Sequence, residues 1–159
     1  MTVTLKIGAT PLSRVKVVKR AILIQKLSTA IASSIHVDTN KILLNNKEIE
    51  VLDTVPDHYH NCTTLLLSQN QIKSLHGLHQ FSQLKNLSLS HNCIDDYEEL
   101  KNIKGDELTS LSLEGNPIHN HPNYRCIILG LFPSLKSLDS KIVTKAERAC
   151  IGKNTKHRD

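Results

Sequence analysis

The sequence predicts an α/β solenoid: a short parallel β-sheet lining a concave face, closed by a cap at each end. Three observations carry this expectation. The segments CTTLLLSQNQIKSL from Cys62, LKNLSLSHNCIDDY from Leu84 and LTSLSLEGNPI from Leu108 all fit L-x-x-L-x-L-x-x-N-x-I, with Cys62 in the first leucine's place. Their strand residues Leu65, Leu87 and Leu111 stand 22 and 24 residues apart. Tryptophan is absent and aromatics make up 3% of the 159 residues, so a single core must be built from leucine and isoleucine.

This spacing falls within the roughly 20–29 residues of leucine-rich repeats. A weaker copy, ILLNNKEIEVL from Ile42, has Lys47 where the asparagine belongs, and a truncated fifth copy, LKSLD, occupies 135–139. In each repeat the L-x-L leucines point inward from a strand, because strand side chains alternate. Asn70, Asn92 and Asn116 then sit where the chain turns away, and their amides can pair with backbone groups that the ladder misses, stacking as an asparagine ladder. Leu75, Leu78, Phe81, Leu84 and Leu87 recur every third residue, which suits a 3₁₀ or short helical return leg.

Four segments follow: a basic N-terminal cap at 1–36, repeats at 37–118, a C-terminal cap at 119–148, and a basic, disordered tail at 149–159. In the first, TVTLKI alternates as a strand would, and the stretch from Ser13, a candidate N-cap, is long enough for a helix. A helical cap, or a hairpin followed by a helix, would cover the layer of Ile42 and Leu44. At the other end, Pro122 precedes an expected helix from about Asn123 to Phe132, ended by Pro133. Its apolar residues Cys126, Ile127, Leu129 and Leu131, with Tyr124 as a flat plug, would cover the last leucine layer, which has no next repeat. Leu135 and Leu138 form the last strand. His119, His121, Tyr124, Arg125 and Cys126 therefore belong to a stopper rather than to a reaction centre.

The net charge is +5, unevenly placed. Residues 1–36 hold six Lys or Arg and no acid, 37–140 hold eight against thirteen acids, and 141–159 hold six against two. Such basic ends are either solvated or in contact with RNA or an acidic protein surface. No run of about 18 apolar residues exists. Ala21–Ile24 is too short for a signal peptide's apolar region, so the chain is expected to be intracellular, with Cys62, Cys93, Cys126 and Cys150 as free thiols. The basic end IGKNTKHRD suggests a piece of a longer chain.

No catalytic motif is present. His58-x-His60 with Cys62 invites a metal, but Cys62 should face the core and no fourth ligand stands at zinc-site spacing. No enzyme activity, cofactor, metal or small-molecule substrate is expected. The concave face is the expected protein-binding surface. It carries Lys41, Leu43 and Asn45; Thr64, Leu66 and Ser68; Asn86, Ser88 and Ser90; Ser110, Ser112 and Glu114. Leu43 and Leu66 are apolar where water is expected. DDYEEL, with Asp95, Asp96, Glu98 and Glu99, is either a solvated loop or an acidic lip for a basic peptide.

The repeats resemble those of the nuclear regulatory subunit of protein phosphatase 1. GNP, YR, CIILGLF, PSLKSLD and IVTKAER resemble the C-terminal leucine-rich-repeat cap of that regulator, of the spliceosomal A-prime protein and of many centrosomal and ciliary proteins. The resemblance covers residues 40–148 or so. It implies an adaptor or scaffold in a centrosomal, ciliary or cytoskeletal assembly, with the cytoplasm favoured and the nucleus as the other location. The alternative it implies is a ribonucleoprotein component that holds an RNA-binding protein, with RNA met indirectly or through the basic ends.

Overall fold

A three-residue strand recurs once per repeat, and the strands align residue for residue. The computed structural model describes residues 25–34 and 38–154. Strands β2 (Lys41–Leu43), β4 (Thr64–Leu66), β5 (Asn86–Ser88) and β6 (Ser110–Ser112) pair in parallel with no slip, so Ile42, Leu65, Leu87 and Leu111 form one row. β7 (Ser137–Leu138) continues that row through Leu138. Each central leucine or isoleucine is buried, as are Leu44, Leu67, Leu89 and Leu113 two residues on. Fully burying one such side chain contributes about 1.5–3 kcal/mol, so this double column is the core's main source of stability.

After each strand the backbone takes a left-handed step, at Asn46, Gln69, His91 and Gly115, with φ between 55° and 75°, and the first repeat adds a second at Glu48. The ladder residue follows. Asn92 accepts the Ile72 N–H at 3.0 Å and donates to the Leu67 and Leu89 carbonyls, both at 2.9 Å. Asn70 and Asn116 repeat this pattern on their own neighbours, and all three are buried. Each amide thus stitches one turn to the preceding repeat. The first repeat has Lys47 instead, and its N–H is taken by the Asn70 side chain at 2.9 Å.

The return legs are 3₁₀ turns at His76–Gln80, Tyr97–Asn102 and Pro117–Asn120, as the period of three requires. Gly77 allows the second leg to close on the first repeat. A Cβ there would stand 1.8 Å from the Leu52 carbonyl oxygen.

Of the N-terminal cap, only its last part lies within the described residues. Gln25–Lys26 form β1, which pairs in parallel with β3 (Ile49–Val51) in a separate two-stranded sheet. The helix α1 begins only at Leu27 and ends at Ala32. Its Leu27, Ala30 and Ile31 share one face and join Ile42 and Leu44 in the core, so the required cover is there. Asp53 holds the helix start, accepting the Ser28 N–H at 2.9 Å and hydroxyl at 2.6 Å. TVTLKI and Ser13 lie outside the described residues.

At the other end, helix α2 (Tyr124–Leu131) is close to its expected span, but its buried residues are Tyr124, Ile128 and Leu129, followed by Phe132. Cys126 and Leu131 are exposed and Ile127 is half-buried, contrary to the expected set. Asp139 and Ser140, both at positive φ, form a tight turn into the antiparallel β8 (Lys141–Ile142). The expected disordered tail begins instead as helix: α3 runs Lys145–Asn154, with Ile151 packed on the core. Thr144 and Glu147 open α3 as a capping box, the Glu147 carboxylate accepting the Thr144 N–H at 2.7 Å. Arg148 donates to the carbonyl of Leu129, at the end of α2, at 2.7 Å and to that of Leu135, just beyond it, at 2.5 Å.

Glu147 also pairs with Arg125 at 2.5 Å. That guanidinium, then the Thr144 N–H and hydroxyl, lower its pKa from an ordinary 4.5 to about 2. The folded value lies below the unfolded one, so this stabilisation is complete above about pH 4.5 and lost as pH falls towards 2. Glu147 is a third exposed, so solvent screening keeps the effect small. Glu147→Gln should therefore flatten the fall in Tm between pH 5 and 2.5. Equal acid slopes for the two proteins would contradict the ion pair.

Candidate functional site

The twelve expected binding residues come together on one open surface. Lys41, Thr64, Asn86 and Ser110 are in register as one row, and Leu43, Leu66, Ser88 and Ser112 as the next. Asn45, Ser68, Ser90 and Glu114 follow the buried second leucine of each repeat. The face divides chemically. At its C-terminal half the hydroxyls satisfy one another: Ser68 with Ser88 at 2.6 Å and Ser90 with Ser112 at 2.5 Å. At the N-terminal half Leu43 is 50% exposed beside a half-buried Leu66, with nothing polar to satisfy. Apolar contact area is therefore concentrated there, with Lys41 at its edge.

The acidic residues are placed differently. DDYEEL is loop only at Asp95 and Asp96: Tyr97–Asn102 is a 3₁₀ turn, and Asp96 caps it by accepting the Glu98 N–H at 2.9 Å. Asp95 pairs with Lys73 at 3.0 Å and Glu98 with Lys101 at 2.5 Å. Glu99 accepts the Ser74 hydroxyl at 3.0 Å and the Leu75 N–H at 2.6 Å. Asp95 and Glu99 thus bind the preceding leg, while Asp96 and Glu98 bind within their own. Tyr97 is half-buried, its hydroxyl 3.3 Å from the Ile118 carbonyl.

His58, His60 and Cys62 do not converge. His60 donates through Nε2 to the Val55 carbonyl at 3.0 Å, while the buried Cys62 thiol donates to the Thr64 carbonyl at 3.0 Å. Burial pushes that thiol's pKa up, away from reactive thiolate. Among the described residues no three His, Cys, Asp or Glu side chains are grouped to hold a metal. No described helix is long and apolar enough to cross a membrane.

Asp139, which sequence reasoning passed over, closes the array. In every earlier repeat the strand's outgoing N–H groups find carbonyls of the next repeat, as Leu89 does on Ser112 at 2.8 Å. Leu113 and Glu114 have no such strand. Their N–H groups go to Asp139 Oδ1 at 2.8 and 3.1 Å, and the Tyr124 hydroxyl donates to Oδ2 at 2.8 Å. One carboxylate takes the place of the missing backbone. Burial foremost, then the Asp139 charge, pushes the Tyr124 phenol far up, so it stays a donor.

A family model described as leucine-rich repeat matches residues 16–158. The chain belongs to the leucine-rich repeat family. Within it, the chain is similar to U2 small nuclear ribonucleoprotein A' proteins. It is 33% identical over 135 residues to the U2 small nuclear ribonucleoprotein A' of Candida albicans, a match covering 82% of this chain and 58% of the relative. It is 43% identical over 98 residues to the same protein of Candida glabrata, covering 59% and 37%. The chain thus spans a third to three fifths of the length of these relatives. Among solved structures, the Drosophila melanogaster SNF/U2A' complex contains a chain similar to this one at a TM-score of 0.66 and 26% identity, covering 85% of this chain and 76% of that one. The repeats form a protein-interaction module.

Proposed function

We propose that this chain is the repeat portion of a ribonucleoprotein scaffold, and that it holds an RNA-binding protein on its concave sheet face in the nucleus. The observation that carries this is the similarity to U2A', which extends over 85% of the chain, beyond the strands and into the caps. That relative's structure is a complex with SNF, so a partner of the SNF kind is the natural occupant. Leu43 and Leu66 supply the apolar contact, and the basic ends supply a salt-sensitive contribution to any RNA contact. A non-enzymatic scaffold is in keeping with the leucine-rich repeat family and with the ribonucleoprotein components this chain is similar to. The centrosomal or cytoskeletal adaptor expected first yields to this reading, because the relatives described above are ribonucleoprotein components.

The test is calorimetric titration of the chain with a recombinant SNF-type protein. Leu43→Asp combined with Leu66→Asp should weaken binding at least tenfold, about 1.4 kcal/mol, while the melting temperature changes by no more than a few degrees. Failure of the wild type to bind such proteins, or unchanged binding by the double variant, would count against this function and this face respectively.

A further inference from the structure

On the leg side of the second repeat, away from the sheet face, lies a cavity of about 550 Å³ whose lining includes His76, Gly77, His79 and Gln80. Its floor is fixed. The Gln80 side chain accepts the Val55 N–H at 2.9 Å and donates to the Asp53 and Gly77 carbonyls at 3.0 and 2.7 Å. His76 and His79 stand three apart on the 3₁₀ turn, where side chains at i and i+3 eclipse. Their ring centroids are 5.0 Å apart and the rings are tilted by 51°.

His79 Nδ1 bonds the His76 carbonyl oxygen. A carbonyl only accepts, so Nδ1 carries the proton and Nε2 keeps its lone pair for a ligand. This carbonyl-held tautomer is the usual orientation of a metal-ligating histidine. The ring spacing agrees with it. With nitrogens about 2.0–2.1 Å from an ion and centroids roughly 1.1 Å beyond, two rings set at about 90–110° have centroids about 4.5–5.2 Å apart. Asp53 and Lys104, one of each sign, also line the cavity, so its walls carry no net opposition to a cation.

We infer that His76 and His79 form a two-imidazole site for a late first-row divalent ion, with cupric ion held most tightly and nickel and zinc more weakly. The remaining coordination positions go to water. The core is complete without the ion, so its removal leaves the fold intact.

Titrating the metal-free chain with cupric chloride tests this, and paramagnetic resonance counts the coordinating nitrogens. One ion per chain with two imidazole nitrogens is expected. His79→Ala and His76→Ala should each weaken binding at least tenfold, and His58→Ala should leave it unchanged. Both mutated side chains are exposed, so circular dichroism should match the wild type. A chelator should not shift the melting temperature. Absence of binding, or affinity retained in both alanine variants because others of the nine histidines hold the ion, would overturn the assignment.

Discussion

Tyr124→Ala is expected to destabilise the protein by about 3–5 kcal/mol, the usual cost of emptying a large buried aromatic site. Tyr124 is 6% exposed and covers the last leucine layer, and its hydroxyl is the donor to Asp139 Oδ2. The substitution therefore opens a cavity and loosens the carboxylate that receives the Leu113 and Glu114 N–H groups. Total stability for a domain of this size is about 5–15 kcal/mol, so a substantial unfolded fraction should appear near physiological temperature. Tyr124→Phe keeps the plug and loses only the hydroxyl bond, and should cost about 1–2 kcal/mol. Denaturant unfolding of both variants measures the difference. If Tyr124→Ala kept its melting temperature yet lost partner binding, Tyr124 would be a contact residue and not a plug.

Asn92→Ala should cost about 1–3 kcal/mol. It strands the buried Ile72 N–H, whereas the Leu67 and Leu89 carbonyls lose one donor each and keep Asn70 and Asn116. Asn92→Asp should not rescue it, since a carboxylate cannot donate to Leu67 and Leu89. A loss below about 0.3 kcal/mol in chemical denaturation would mean that the ladder contributes nothing net.

The repeats were legible in the sequence because each level of the pattern has one physical cause. Alternation placed Leu65 and Leu67 inward, the asparagine marked the turn, and the period of three marked the leg. The caps were harder. CIILGL is nearly continuous in apolar residues, so periodicity could not choose between Cys126 and Ile128. The choice is made by what the helix rests on, and Ile128 and Leu129 won. The strand at Gln25 was hidden for a related reason, since its partner Ile49 lies more than twenty residues away. The carboxylates of DDYEEL looked free because Lys73, Ser74 and Leu75, which engage two of them, belong to the preceding repeat. The concave residues were found by pattern alone. The His76–His79 pair was not, because nothing in HGLHQ shows that one ring bonds a backbone carbonyl.

The equivalence of Asn70 and Asn92 has a consequence for how such a chain can change length. Both accept one isoleucine N–H and donate to one carbonyl of the repeat before them and one of their own, at positions 22 residues apart. A duplicate of residues 70–91 inserted after His91 would meet the same partners on each side as the original. It would widen the sheet by one strand spacing, about 4.7–4.9 Å, without disturbing either end. Asp139 sets where this freedom stops: beyond it the backbone donors are already consumed, so growth must come from inside the array. The docking surface is thus adjustable in discrete steps, and a lineage or a designer can fit it to a longer partner by copying one unit.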